Sequence, residues 1–284
     1  MASRISQIAS HLDPRSWTGH GLPAARAKND SDVVVVALGR TPFTKAWKGG
    51  LKDTPFDLLL VEMIKAIIAK AAIDPAIIEE CCLGNVRNTD AVYELRAAAL
   101  AAGIPNTTPC QLVNRWCSSG LMAVRSVANQ IQAGEISCGL AIGAEAMTHH
   151  PKREWNFSPE VTGASQEAAD CVQPMGWTSE NVAGDFGISR EKMDGFAVRS
   201  HQRAAAAQAA GKFDAEILPI LGRDGSVSGS LRVFSQDDGI RPTSTTTALA
   251  KIKPAFPQWA PGHTTGGNAS QVCGPMSGSM HPTS

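Results

Sequence analysis

Cys110-Gln111-Leu112-Val113-Asn114-Arg115-Trp116-Cys117-Ser118-Ser119-Gly120-Leu121-Met122-Ala123-Val124 passes from a short apolar run, through a turn of polar and small residues, into a helical pattern. Leu121, Val124, Val127, Ala128 and Ile131 recur at three- and four-residue intervals, the period of a helix with one apolar face. Gly134 then offers a stop. Strand, turn and helix in this order form the unit of layered α/β folds, and Cys117 stands at the turn. A thiol on the first turn of a helix faces unpaired backbone N–H groups and the positive end of the helix dipole. Both favour the thiolate, the nucleophilic form of cysteine. A buried structural cysteine is the alternative reading at this point.

Outward from this stretch the same alternation repeats. Val33 to Leu38 is an apolar, β-branched run that reads as a buried parallel strand. A helix is expected from Phe56 to about Ala72, with Thr54 as its N-cap before Pro55 and Leu59, Met63, Ala66, Ile67 and Ala71 toward the core. Glu80 to Val86 reads as a strand, Glu94 to Ala102 as an alanine-rich helix, and Ile136 to Ile142 as another strand. The prediction is a layered α/β domain with a mostly parallel sheet. From about residue 148 the texture changes to a long polar stretch, opened by His149-His150-Pro151-Lys152-Arg153. One clear helix follows, Arg190 to Ala210, capped by Ser189, stopped by Gly211 and striped by Met193, Phe196, Ala197, Ala204 and Ala207. Residues 213–248 read as short strands and turns.

Composition narrows the classes. The 284 residues hold 26 Lys+Arg and 26 Asp+Glu, a formal net charge of zero, which argues against a nucleic-acid-binding body. No apolar run approaches the roughly 20 residues of a membrane-spanning helix. The seven cysteines include no C-x-x-C, so neither a disulfide framework nor a zinc or other metal site is expected, and a reducing compartment is.

Five blocks together resemble the thiolase family. Asn114-Arg115-Trp116-Cys117-Ser118-Ser119-Gly120 resembles its nucleophile segment, which usually has Gln where Trp116 stands. Met175-Gly176-Trp177-Thr178-Ser179-Glu180-Asn181-Val182-Ala183 and Ile188-Ser189-Arg190-Glu191-Lys192, with Asp194 and Phe196-Ala197, resemble two further blocks. Leu249 to Phe256 and Gly267-Asn268-Ala269-Ser270 follow in the family's order, so that the likeness runs from about residue 33 to 272.

The resemblance implies a thiolase-like layered α/β/α half with an inserted loop domain, the second half missing. It divides the chain into a leader over 1–30, an N-terminal α/β domain over 31–147 and 262–272, a CoA-binding loop domain over 148–261 and a divergent tail over 273–284. It implies Cys117 as nucleophile, with Ser270 and Met175 in the substrate pocket; the alternatives are that Met175 is ordinary core and Ser270 caps a turn. Arg4-Ile5, five residues, then His11-Leu12 fits the amino-terminal peroxisomal targeting pattern, so that residues 4–12 would meet an import receptor; a plain leader or a mitochondrial presequence is the alternative.

The reaction implied is thiolytic cleavage of a 3-ketoacyl-CoA through an acyl-Cys117 intermediate, with coenzyme A as co-substrate and no permanently bound cofactor. The partners implied are acyl-CoA and CoA, with a homodimer or a heterodimer with full-length thiolase. The family's activating His lies in a G-H-P motif and its acid/base Cys in C-x-G-x-G; the sequence has neither. His263 in Gly262-His263-Thr264, His281-Pro282 and Cys273 do not match and are read as decoys. The chain is therefore expected to be impaired by itself. The alternatives are a non-catalytic partner subunit and a biosynthetic acetoacetyl-CoA thiolase.

Overall fold

The computed structural model describes residues 32–150, 157–225 and 230–270. Three parallel strands organise its first part: β1 (Glu80–Gly84), β2 (Cys110–Val113) and β3 (Gly139–Gly143), in the order β2–β1–β3. Cys81 faces Cys110 across one ladder and Leu140 across the other. Parallel neighbours need crossovers, and helices supply them. α1 (Phe56–Ala71) leads toward β1, α2 (Ala91–Ala101) joins β1 to β2, and α3 (Ser119–Gln132) joins β2 to β3.

The two-residue period of β1 distributes its side chains between two cores. Cys81 and Leu83 enter a cluster with Phe56, Leu60 and Ile64 of α1 and Leu95, Ala98 and Ala99 of α2. Cys82 points the other way, against Ala123 and Val127 of α3. All five residues of β1 are buried, as a central strand covered on both faces must be. The layers are thus α1 and α2, sheet, and α3.

Five helices and a hairpin make up the remainder: α4 (Pro159–Thr162), α5 (Gln166–Asp170), α6 (Met175–Asp185), α7 (Arg190–Ala209), the antiparallel pair β4 (Ile220–Arg223) and β5 (Leu231–Phe234), and α8 (Thr246–Ala250). Ile220 and Phe234 pack with Leu51 in a small core that Leu59 of α1 joins. Ala197 and Val198 of α7 bury against Leu249 of α8.

Several expectations are corrected. Val33–Leu38 forms no ladder; its first pairing is an isolated bridge from Arg40 to Ile217, and Val34, Val35, Val36 and Leu38 are 63 to 73 % exposed. Apolar β-branched residues express a demand for burial but supply no neighbour, and among the described residues none pairs with this run. Thr54 is not a cap: α1 begins after Pro55 without a side-chain cap, and the buried Thr54 hydroxyl accepts from the Arg223 N–H at 3.0 Å. The buried stripe of α1 is Phe56, Leu60 and Ile64, because the helix serves two cores and Leu59 is turned toward the second.

On α3 the buried residues are Ser119, Ala123 and Val127, while Leu121 is 71 % exposed. Close approach to the sheet selects small side chains at the start of the helix, so Leu121 and Val124 face outward, while Ile131 packs partly buried against the same cluster as Val127. Phe196 of α7 is likewise exposed, under the Arg199 guanidinium at 5.9 Å. The stretch after residue 148 expected to be irregular contains α4, α5 and α6.

Candidate active site

β2 ends at Val113, and the next four residues make the turn that carries Cys117. The Asn114 side chain accepts from the Trp116 N–H at 3.0 Å, a local closure typical of asparagine, and donates to the Val86 carbonyl at 3.2 Å. Trp116 adopts φ +48°, the left-handed region that costs a non-glycine residue roughly 1 kcal/mol. Ser119 fixes the other side: its buried hydroxyl accepts from the Arg115 N–H at 2.8 Å and donates to the Trp116 carbonyl at 2.6 Å. Ser118 is the N-cap residue of α3, so Cys117 lies just before the cap and not within the first helical turn as expected. The thiol is exposed and free.

Small residues allow this turn to sit on the ends of the strands. A Cβ on Gly84, the last residue of β1, would lie 2.3 Å from the Ser119 backbone, and one on Gly143, the last of β3, 3.0 Å from the Gly120 Cα. The start of α3 therefore rests directly on the C-terminal edge of a parallel sheet, the edge at which α/β folds bind their ligands. Asn85 and Glu145 brace the same edge. The Asn85 amide donates to the Ala144 carbonyl at 2.8 Å and to Glu145 at 3.2 Å, while Glu145 accepts from the Val86 N–H at 3.0 Å.

Met175 and Ser270 lie outside the parallel sheet and its three helices. Met175 opens α6 and is exposed, so it is not ordinary core; Ser270 is exposed beyond a tight turn over 265–269. Buried Glu180 of α6 joins the two segments, accepting from the N–H groups of His263 at 2.9 Å and Thr264 at 2.7 Å. Burial pushes its carboxyl up, but bonds from the Thr264 hydroxyl and the backbone of His263, Thr264 and Gly262 outweigh this and hold it below the usual 4.5. Ser179 and Thr264 hydroxyls bond at 2.9 Å.

Asn268, two residues before Ser270, accepts from the Thr265 N–H at 2.8 Å and donates to the His263 carbonyl and to Asp194 of α7, both at 2.9 Å. Asp194 is itself paired with Arg190 at 2.8 Å. The helix that Met175 opens and the turn before Ser270 are thus tied to one another through Glu180, and that turn to α7 through Asn268. Among the described residues no hydrogen bond links Met175 or Ser270 to Cys117. The His263 ring bonds the Ile188 carbonyl at 2.8 Å; Cys273 and His281 lie outside the described residues. Glu180, Asp194 and Asn268 were quoted in the sequence blocks without a role, and no spacing rule would have found one. Among the described residues no cluster of His, Cys, Asp and Glu could hold a metal ion, and no helix is long and apolar enough to cross a membrane.

Residues 33–274 match the N-terminal domain of thiolase. The chain belongs to the thiolase family. It is 44% identical over 274 residues to the peroxisomal 3-ketoacyl-CoA thiolase of Yarrowia lipolytica, covering 95% of this chain and 65% of that protein. Peroxisomal 3-ketoacyl-CoA thiolase B of Rattus norvegicus is 42% identical over 279 residues, with the same shares covered. Among solved structures, the dimeric peroxisomal thiolase of Saccharomyces cerevisiae superposes with a TM-score of 0.79 at 41% identity, over 88% of this chain and 64% of that one. Human mitochondrial 3-ketoacyl-CoA thiolase in complex with CoA gives 0.65 at 32% identity, over 83% and 60%. This thiolase chain therefore spans just under two thirds of the length of those relatives. Its layered α/β architecture is that of the thiolase structures over the matched part, and the relatives it groups with from yeasts and rat are peroxisomal thiolases.

Proposed function

We propose that the chain works in the peroxisome on 3-ketoacyl-CoA, with Cys117 as the nucleophile of the thiolytic cleavage that ends a round of fatty-acid β-oxidation. The observation that carries this reading is an exposed thiol on a braced turn at the C-terminal edge of the sheet, in a chain of the thiolase family. The Cys117 sulfur attacks the keto carbon, the adjacent carbon–carbon bond breaks, and acetyl-CoA leaves as an enolate that takes up a proton. The thiol of a second CoA then attacks acyl-Cys117 and releases the shortened acyl-CoA. The thioester supplies the activation, so CoA is a co-substrate and no permanent cofactor is required. Met175 and Ser270, which open the helix and follow the turn that Glu180 ties together, line the CoA side of the pocket. The loop domain over 148–261 covers it, the N-terminal α/β domain over 31–147 and 262–272 carries Cys117, and the working form is a dimer like that of the yeast relative. Residues 4–12, the proposed import signal, lie outside the described residues.

A second reading is an acyl-CoA-binding subunit that joins a full-length thiolase. One experiment separates the two. The chain is incubated with acetoacetyl-CoA, quenched in acid and mapped by peptide mass. An acetyl group on Cys117 that is absent from Cys117→Ala is the expected result. Retention of CoA without acylation selects the subunit reading, and acylation at another cysteine overturns the role of Cys117.

A further inference from the structure

Away from Cys117, two other cysteines are placed together by the sheet. Cys81 of β1 and Cys110 of β2 are register partners in a parallel ladder, and both pack into the core between the sheet and α1 and α2. Adjacent strands lie about 4.8 Å apart, inside the range of about 4.4–6.8 Å between Cα atoms that a disulfide spans. The two thiols are hydrogen-bonded to one another.

Their surroundings are unequal. Cys81 is completely buried, whereas Cys110 lines a surface cavity of about 390 Å³ together with Tyr93, Arg96, Asn106 and Thr108. Arg96 cannot swing away, because its guanidinium donates to the Thr108 carbonyl at 2.5 Å and the Asn106 carbonyl at 2.6 Å. The hydrogen bond from Cys81, with help from Arg96, lowers the Cys110 thiol to about 7 against the opposing effects of burial and Glu80. The same bond and burial raise Cys81. The half-buried member, which lines the cavity, is thus the one whose ionisation the surroundings favour, and the buried one the one whose ionisation they oppose.

We propose that Cys110 and Cys81 form a hydroperoxide-reactive dithiol, with Cys110 as the attacking sulfur and Cys81 as the resolving one. In the first step the Cys110 thiolate attacks the distal oxygen of the hydroperoxide, the O–O bond breaks, and the alkoxide or hydroxide leaves and takes a proton. Cys110 becomes a sulfenic acid, its sulfur oxidised by two electrons and the peroxide reduced to an alcohol or water. In the second step the Cys81 sulfur attacks that of Cys110, the S–O bond breaks, and hydroxide departs with the Cys81 proton as water. The product is a disulfide linking β1 to β2, the strand that leads into the Cys117 turn.

The test uses the full chain carrying Cys117→Ser, so that the thiol of the nucleophile turn does not contribute, and Cys171, which is also exposed, is mapped separately. The chain is titrated with hydrogen peroxide, its remaining thiols are blocked under denaturing conditions, and its peptides are mapped before and after dithiothreitol. The expected result is loss of Cys81 and Cys110 from the alkylated pool together, with one cross-linked peptide pair that dithiothreitol releases. In Cys81→Ser the sulfenic acid persists at Cys110 and is captured by dimedone; in Cys110→Ser neither species forms. Should a variant fail to fold, the Cys117→Ser time course decides alone. Cys110 remaining as alkylable as Cys138, or oxidising without loss of Cys81, would overturn the proposal.

Discussion

Where β1 meets the start of α3 there is less room than a methyl group requires. A Cβ on Gly84 would lie 2.3 Å from the Ser119 carbonyl group and 2.6 Å from the Gly120 nitrogen, all backbone atoms that no rotamer change can move aside. Gly84→Ala must therefore lift the helix from the sheet and disturb the serine that holds the Cys117 turn. We expect a loss of about 2–3 kcal/mol, read as a lower urea midpoint, with an altered rate of Cys117 alkylation by iodoacetamide. Gly195, inside α7, is the control: its Cβ would meet nothing nearer than an Arg199 nitrogen at 3.8 Å. Gly195→Ala should raise the midpoint by the equivalent of about 0.5–1 kcal/mol, since it removes only unfolded-chain freedom and a poor helix former. Equal effects at the two glycines would refute the packing argument. Trp116 is the contrasting case: it is 70 % exposed and left-handed, and nothing in the structure explains why a tryptophan stands there.

Among the elements, α6 and the turn over 262–268 stand or fall together, and Glu180 is the link. Its two bonds to backbone N–H groups satisfy donors that would otherwise be buried without partners. Glu180→Gln keeps the shape but puts an amide where only an acceptor is wanted, at a cost of about 2 kcal/mol. Because the folded carboxyl is held below 4.5, the unfolded chain binds the proton more readily. The stabilisation is complete above 4.5 and disappears as the pH falls through the lower folded value. Thermal melts should accordingly show a constant gap between wild type and Glu180→Gln near neutrality, closing on acidification; a gap independent of pH would exclude charge as the cause. This link was not legible in the sequence, since α6 was hidden in a polar stretch and contacts between Glu180 and Thr264 follow no local period. The parallel sheet was legible, because β1 is apolar and the helical runs around it carry clear stops at Gly103 and Gly134. The faces of α1 and α3 were misjudged for one reason: periodicity finds apolar positions, and packing then chooses among them by size and by how many neighbours the helix has. Cys117 was legible from its motif, while Ser119 and Gly84, which position it, act through contacts that only the fold brings together.

For the molecule as a whole, the telling feature is apolar surface that the described residues leave uncovered. Val34, Val35, Val36 and Leu38 form an extended exposed run, and Trp116, Leu121 and Val124 form a second group beside the nucleophile turn. Extended, unpaired, β-branched segments are templates for strand addition, and apolar patches of this kind drive association. We expect the purified 284-residue chain to self-associate as its concentration rises, measured by light scattering. Val34→Lys combined with Val36→Lys should increase the monomer fraction by charging the run, and Leu121→Lys should do so independently if the second group also mediates contact. Neither change touches a buried side chain, so the melting temperature of the monomer should stay within the small range typical of surface substitutions. A chain that remains monomeric, and whose scattering neither substitution alters, would refute association through these surfaces. Association abolished by the valine substitutions alone would instead identify the 33–38 run as the dominant contact and leave the face around Cys117 free for substrate.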